Sequence, residues 1–303
     1  MNTLSILSKT PSVDQAATPL DILKSIPIEP SLSLASFKIY CGDCLEFMRT
    51  LPNSVVSLTI TSPPYNIGKA YERSRPLDDY LDWCESWLRE IYRITTPSGA
   101  LWLNLGYLEV PGRAKALPIP YLLWERIPFY MLQEVVWNYS AGVAANKTFS
   151  PRNEKFLWCV KDPNNYTFNL DSVRDKNVKY PYQRKNGKLK CNPLGKNPGD
   201  VWQIPKVTSG TNRASKERTA HPAQFPITVV ERILNACSNA GDLIMDPFVG
   251  SGSVAESCLR NSRDGFGFEI RQDYVKIAEG RLLSYLARKK MEGAQGKLFE
   301  GYN

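Results

Sequence analysis

The 303-residue sequence contains no apolar run of about 18 residues, which is the length that a membrane-spanning helix needs. Its first residues also lack the continuous apolar core of a secretory signal, because Asp14, Asp21 and scattered prolines interrupt them. Histidine occurs once, at His221, and a lone histidine is more often structural than catalytic, so we assign it no acid–base role. These absences predict a cytoplasmic protein without a membrane attachment.

Cysteine is present, but not in the arrangement of a disulfide-stabilised or zinc-binding protein. The seven cysteines are scattered along the chain, which predicts reduced thiols. Cys41 and Cys44 match a C-x-x-C pattern, but no second pair follows at the spacing of a zinc site. We therefore expect no metal site.

Positive charge is concentrated in one segment. Residues 174–218 hold twelve lysines and arginines against three acids, which gives +9, so the rest of a chain with net charge +8 carries −1. Aromatic residues are interleaved with these charges, a composition that suits phosphate contact and base stacking, although a solvated basic loop has the same charge. The candidate contacts to a nucleic acid are Arg184, Lys185, Lys188, Lys190, Lys196, Arg213, Lys216 and Arg218.

Strand-like and helix-like segments alternate along most of the chain, as expected for an open, mostly parallel α/β sheet with helices on both faces. The predicted strands are 37–40, 55–60, 100–105, 134–139, 155–160, 243–246 and 265–269. The predicted helices are 44–50, 77–91, 117–132, 227–236, 254–260 and 273–290, of which the third is interrupted by Pro118, Pro120 and Pro128. We divide the chain into an N-terminal arm (1–36), two halves of one α/β domain (37–161 and 220–303) and the basic, loop-rich region between them (162–219).

The sequence Ser62-Pro63-Pro64-Tyr65 follows the strand at 55–60. Two prolines lock φ and remove two backbone donors, so the chain leaves the sheet there as a stiff, extended loop. Such a loop holds a hydroxyl, a bare carbonyl and an aromatic ring in a fixed relation.

A second loop that could bind a ligand follows the strand at 243–246. Asp246-Pro247-Phe248 leads through Gly250 and Gly252 into a helix, and glycines let a ligand approach the backbone at a helix N-terminus. The next strand ends in Glu269, 23 residues after Asp246, close to the spacing of about 20 that places an acid on a nucleoside ribose.

These two loops together resemble the S-adenosylmethionine-dependent amino-group DNA methyltransferases. The Ser-Pro-Pro-Tyr loop comes first, the basic segment second and the glycine loop last, which is the circularly permuted order of the β class. The segments 42–46 and 221–226 also match that class, and the resemblance covers about residues 37 to 290. It implies a Rossmann-like methyltransferase fold with a small target-recognition region at 162–219.

The resemblance also implies roles for individual residues. The catalytic loop consists of Ser62, Pro63, Pro64 and Tyr65. The candidate S-adenosylmethionine contacts are Asp43 at the adenine amine, Glu269 at the ribose, and Asp246, Pro247, Phe248, Gly250, Gly252, His221, Pro222 and Phe225 along the rest of the cofactor. The implied partners are double-stranded DNA and a restriction endonuclease that acts on the same site, and monomer and homodimer stay open.

An exocyclic amine is a poor nucleophile because its lone pair is conjugated into the base. Ser62 Oγ and the Pro63 carbonyl can each accept one amine hydrogen and aim the lone pair at the methyl donor. A base inside a duplex is out of reach, so we expect it to be flipped out and stacked on Tyr65.

Several alternatives remain after this interpretation. Transfer to carbon 5 of cytosine needs the Pro-Cys pair of that enzyme family, and no cysteine here follows a proline. Ser62 in the first loop position resembles the N4-cytosine enzymes, with N6-adenine as the runner-up. Methyltransferases of RNA bases or of protein glutamine share a related loop, and a catalytically silent DNA-binding protein could keep the fold.

Overall fold

A computed structural model describes residues 29–34, 36–69, 72–140, 142, 144–208 and 215–300, with side chains up to residue 292. The strands of this part are β1 (Leu32–Ser33), β2 (Phe37–Cys41), β3 (Val56–Thr61), β4 (Thr95–Leu105), β5 (Tyr107–Val110), β6 (Ala114–Pro118), β7 (Tyr130–Asn138), β8 (Asn153–Val160), β9 (Arg184–Lys185), β10 (Lys188–Leu189), β11 (Val201–Gln203), β12 (Leu243–Asp246) and β13 (Asp264–Glu269). Its α-helices are α1 (Cys44–Thr50), α2 (Leu77–Ile94), α3 (Ile119–Leu123), α4 (Ile227–Cys237), α5 (Ser253–Arg260) and α6 (Gln272–Glu300).

Nine strands form one mixed sheet in the order β1-β2-β13-β12-β3-β4-β8-β7-β11. The five strands from β2 to β4 in this order are mutually parallel, whereas β8 runs antiparallel to both of its neighbours. The predicted α/β class with a mostly parallel open sheet is therefore confirmed. None of the helices in the described ranges is long and apolar enough to cross a membrane.

The sheet is covered on both faces, and the alternation of side chains along β4 shows why. Leu101 and Leu103 point into a buried cluster with α1, α2 and α3, whereas Ala100 and Trp102 point into a second cluster with α4, α5 and α6. Successive side chains of a strand face opposite sides, so a strand buried on both sides is apolar throughout. This is why 100–105 has an almost continuous apolar sequence.

The predicted helix at 117–132 is largely wrong. The chain there forms the last two residues of β6, the short helix α3 and a 3₁₀ turn at Trp124–Arg126, and β7 begins already at Tyr130. Three prolines explain the difference. Pro118 and Pro120 lie at the N-cap and in the first turn of α3, where proline is compatible with the start of a helix but not with its interior. Pro128 disfavours the helical conformation of the residue before it, so the helix does not continue there.

The basic segment contains a strand that periodicity did not predict. β11 pairs in parallel with β7, with Trp202 opposite Trp137, and forms one edge of the nine-stranded sheet. Trp202 also stacks on Trp102 with ring centroids 5.5 Å apart. The strand has three residues, too few for a period-two pattern to be recognised.

The Ser-Pro-Pro-Tyr loop and the glycine loop meet because β3 and β12 are neighbours. Thr59 lies opposite Met245 in a parallel pair, so both strands end at the same edge of the sheet. In open α/β sheets, ligands bind outside the carboxyl ends of the strands. The loop after β3 and the loop after β12 therefore border one site.

Candidate active site

A cavity of about 1290 Å³ lies at the carboxyl ends of the parallel strands. The predicted catalytic and cofactor residues that line it are Asp43, Ser62, Pro63, Pro64, Tyr65, His221, Pro222, Phe225, Asp246, Pro247, Phe248, Gly250 and Glu269. Gly252 is outside this lining, where it begins α5 in a left-handed conformation. Segments from three distant parts of the chain thus border one space.

The glycine loop is fixed by an acid on the next strand. The backbone N–H of Gly250 donates 2.9 Å to Glu269 Oε2, and the N–H of Arg271 donates 3.0 Å to Oε1. Burial raises the pKa of Glu269, and these two hydrogen bonds oppose that shift. Each carboxylate oxygen has a further lone pair, so the group can still accept hydrogen bonds from a ligand's hydroxyls.

Asp246 joins the two loops. Its Oδ1 accepts 2.8 Å from the Thr61 hydroxyl and 3.0 Å from the N–H of Phe248. The carboxyl is buried, and this desolvation raises the pKa of Asp246 to about 7, although both hydrogen bonds lower it. Asp246 therefore fixes the geometry of the turn and of β3 at the same time.

Asp43 combines a structural contact with an exposed acceptor. Its Oδ1 accepts 2.7 Å from the N–H of Leu45 and caps the N-terminus of α1. Asp43 also lines the cavity, and no described residue donates to its second carboxylate oxygen. That oxygen can accept a hydrogen bond from a ligand amine.

His221 packs against the glycine loop. Its ring lies 4.5 Å from the Tyr274 ring in an edge-on contact, and Nδ1 accepts 3.3 Å from the N–H of Ala223. A Cβ added to Gly250 would meet the His221 ring at 3.0 Å. Burial lowers the pKa of His221, so the neutral imidazole acts as a wall of the cavity.

Aromatic rings form another wall, and part of it escaped the sequence analysis. Phe248 makes edge-on contacts with Trp83 at 5.8 Å and with Trp87 at 5.4 Å. Trp83 lines the cavity from α2. Trp83 belongs to none of the sequence motifs, and sequence spacing does not tell which residues of a helix reach a distant loop.

The Ser-Pro-Pro-Tyr loop faces the same cavity. The Tyr80 hydroxyl donates 2.9 Å to the Pro64 carbonyl, whereas no described residue donates to the Pro63 carbonyl. The Pro63 oxygen is therefore available to a donor in the cavity. The Tyr65 ring packs on Gly106, where an added Cβ would lie 2.8 Å from a ring carbon.

Two polar residues beside this loop were missed by the sequence analysis. Asn104 Oδ1 lies 3.2 Å from Ser62 Oγ and 2.8 Å from the Tyr65 hydroxyl. Glu154 Oε2 lies 3.4 Å from the Tyr65 hydroxyl, and burial raises the pKa of this carboxyl. Asn104 is a single polar residue in the apolar run of β4, which is the signal that could have identified it.

The basic residues that were expected to contact DNA do not gather around the cavity as the catalytic and cofactor candidates do. Arg218 lines the cavity. Arg184, Lys185 and Lys188 are exposed on the β9–β10 hairpin, whose turn residues Asn186 and Gly187 both have positive φ. Lys190 and Lys216 are also exposed, Lys196 forms an ion pair of 3.3 Å with Asp175, and Arg213 lies outside the described residues.

Comparison with known proteins identifies relatives along most of the chain. A family model described as DNA methylase, of the N6/N4 methyltransferase type, matches residues 56–280. The Type II methyltransferase M.ScaI of Streptomyces caespitosus is 58% identical over 262 residues, which cover 86% of each chain.

Solved structures agree on the fold at low sequence identity. The PvuII DNA methyltransferase, described as cytosine-N4-specific, matches with a TM-score of 0.67 and 20% identity over 84% of this chain and 89% of that chain. TTHA0409 of Thermus thermophilus, a putative DNA modification methylase solved with S-adenosyl-L-methionine, matches with a TM-score of 0.54 and 21% identity over 80% of this chain and 92% of that chain.

Proposed function

This chain belongs to the N6/N4 DNA methylase family, and on that premise we propose that it methylates the exocyclic N4 amine of a flipped cytosine in duplex DNA. The observation that carries the proposal is the meeting of two loops in one cavity. The glycine loop with Glu269 borders one side, and Ser62 with the bare Pro63 carbonyl borders the other. One site can thus hold a methyl donor and an amine acceptor together.

The residues present fit S-adenosylmethionine as the methyl donor. Glu269 offers acceptor lone pairs for ribose hydroxyls, and Asp43 offers a carboxylate oxygen for the adenine amine. Phe248 supplies an apolar surface beside the left-handed turn at Gly250. When bound, the cofactor supplies an electrophilic methyl group on a sulfonium.

The acceptor side of the cavity suits an amine. Ser62 Oγ and the Pro63 carbonyl accept the two amine hydrogens, which turns the nitrogen lone pair out of the plane of the base. The chain holds these acceptors on a proline-stiffened loop, so little reorganisation is needed as charge develops. Tyr65 stacks on the flipped base.

Serine at position 62 favours cytosine N4 over adenine N6, and the cytosine-N4-specific PvuII enzyme shares the fold. The family also includes N6 enzymes, so adenine N6 is the second candidate. The Type II methyltransferase M.ScaI, with which this chain shares 58% identity, supports a role in a restriction–modification system with a cognate endonuclease.

Nucleoside mass spectrometry tests this proposal. The protein is incubated with S-adenosylmethionine and PCR-amplified genomic DNA, which carries no prior modification, and the DNA is then digested to nucleosides. N4-methylcytosine supports the proposal, and N6-methyladenine moves the acceptor to the second candidate. Unmodified DNA, with S-adenosylmethionine binding intact, favours the catalytically silent DNA-binding protein.

A further inference from the structure

A cluster of four polar groups includes the hydroxyl of Ser62, and its hydrogen-bond arrangement restricts where protons can lie. The groups are the Ser62 hydroxyl, the Tyr65 hydroxyl, the Asn104 amide and the Glu154 carboxylate. Ser62 Oγ and the Tyr65 oxygen are 3.0 Å apart, and either atom could be the donor by distance alone. The two neighbouring groups limit where each proton can be directed.

The orientation of the Asn104 amide is fixed by the backbone. Its Nδ2 donates 3.3 Å to the carbonyl of Lys155 on the adjacent strand β8. If the amide were flipped, two oxygens would face each other across that contact. Asn104 Oδ1 therefore points at both hydroxyls and acts only as an acceptor.

The hydroxyl protons can then be assigned. Asn104 Oδ1 cannot donate, and Glu154 cannot when it is ionised, so the Tyr65 proton is directed to Asn104 Oδ1 at 2.8 Å, to Glu154 Oε2 at 3.4 Å or to Ser62 Oγ at 3.0 Å. The Ser62 proton is directed to Asn104 Oδ1 at 3.2 Å or to the lone pair left on Tyr65. In both arrangements the Ser62 proton stays inside the cluster.

We propose that Asn104 is a positioning residue that turns Ser62 into an obligatory hydrogen-bond acceptor towards the substrate amine. An amine in the plane of a base offers only donors, so a Ser62 proton pointing into the cavity would oppose it. The proposal rests on the proposed amine methylation and adds a residue on β4 to it. Glu154 supports the arrangement as a second acceptor for Tyr65.

A double-mutant cycle tests the coupling. Single-turnover transfer of labelled methyl to PCR-amplified genomic DNA is measured for Ser62→Ala, Asn104→Leu and the double variant. We expect a loss of roughly tenfold for Asn104→Leu and about a hundredfold for Ser62→Ala. The double variant should match Ser62→Ala within about twofold, because Asn104 then has no proton to orient.

Two further variants separate orientation from structure. Asn104→Asp keeps acceptor oxygens for both hydroxyls and loses the Lys155 contact, so it should be several-fold faster than Asn104→Leu. Asn138→Leu is the matched control, since the Asn138 amide donates to the carbonyl of Arg152 at 3.1 Å and has no contact with Ser62. It should leave the transfer rate unchanged.

The outcomes distinguish the two proposals. If the wild-type protein labels no DNA, the proposed function fails. If it labels DNA but the losses of Ser62→Ala and Asn104→Leu multiply in the double variant, Asn104 acts independently of Ser62 and the inference is wrong. Equal rates for Asn104→Asp and Asn104→Leu would also overturn it, as would a cofactor Kd raised in step with the loss of rate.

Discussion

The Thr61 hydroxyl donates a hydrogen bond of 2.8 Å to the buried Asp246 carboxylate and thereby joins the last residues of two adjacent parallel strands. Thr61 directly precedes the Ser-Pro-Pro-Tyr loop, and Asp246 directly precedes the turn into the glycine loop. The relative position of the proposed acceptor and donor sides therefore depends on a contact between these two side chains.

Replacing Thr61 by valine removes this donor at nearly constant volume. The buried carboxylate loses one of its two hydrogen bonds, so we expect a loss of about 1–3 kcal/mol in the free energy of unfolding. Urea unfolding at pH 8 measures the change. Ser57→Ala is the control, because Ser57 donates to Asp242 at 3.2 Å in a part-buried contact near the other end of the two strands. A loss for Thr61→Val no larger than that of the control would contradict the assigned role.

The raised pKa of Asp246 predicts how stability varies with pH. In the folded state this carboxyl titrates near 7, so between its unfolded pKa and pH 7 the folded state binds the extra proton. The contribution of this carboxyl to the free energy of unfolding is therefore largest at low pH. It is lost as the pH rises towards and through 7, by at most about 1.4 kcal/mol per pH unit for one group. The difference between wild type and Asp246→Asn isolates this group, and it should shift in favour of the variant from pH 5 to pH 7 and level off above that. A pH-independent difference would contradict the prediction.

Gly106→Ala should displace the ring of Tyr65. The new Cβ would lie 2.8 Å and 3.0 Å from two ring carbons, closer than real contacts allow. We expect at least a tenfold fall in kcat with the cofactor Kd unchanged, because the ring moves on the acceptor side of the cavity. Gly280→Ala in α6 is the control: its Cβ meets no atom within 4 Å, and it should raise stability by about 0.5–1 kcal/mol without changing kcat. An unchanged kcat for Gly106→Ala would show that the ring position is not needed.

Gly250→Ala should weaken cofactor binding. Gly250 has a φ of +50°, and an added Cβ would also press on the His221 ring at 3.0 Å. Isothermal titration with S-adenosylmethionine should show a Kd at least tenfold higher. Gly112→Ala carries a similar backbone strain, with φ of +70° and no atom within 4 Å of its Cβ, and should keep the wild-type Kd. Equal affinities of the two variants would contradict the role of the glycine loop.

The exposed hairpin β9–β10 is expected to contact DNA phosphates. Replacing Lys185 and Lys188 by glutamine removes two such contacts, so the slope of log Kd against log salt concentration should fall by about 2. The charge-matched control replaces Lys289 and Lys290, which are exposed on α6. Fluorescence anisotropy with duplex DNA measures both slopes. The hairpin is not a phosphate contact if its variant and the control have the same slope.

The sequence predicts those parts of the site that depend on residues close together in the chain. The proline pair after β3, the glycine turn after β12 and the acid at Glu269 each lie within a few residues of a strand end, and all three border the cavity. The contacts of Asn104 and Glu154 could not be predicted in this way, because their partners Ser62 and Tyr65 lie far away in sequence, on the loop after β3. Their proximity depends on the register of β4 and β8, in which Asn104 lies opposite Phe156.

The same distinction explains the errors in the fold. The helix predicted at 117–132 is interrupted by three prolines, and the chain there keeps only the short helix α3 and a 3₁₀ turn. β11 has too few residues for a local pattern, and its place is determined by pairing with β7 and by the stack of Trp202 on Trp102. Tertiary packing decides such short elements.

Edge strand β11 has a consequence for exchanging specificity between related enzymes. The basic region contributes this strand to the sheet, and the Trp202 indole donates 3.0 Å to the carbonyl of Gly199, which precedes the strand. A transplanted basic region, which is the proposed recognition region, would leave the host's strand in place if it ended before residue 201. A region that includes the strand must bring a ring of matching shape for Trp102. The boundary of a grafted region is therefore best placed before Gly199, which lies within the basic segment and not at its end.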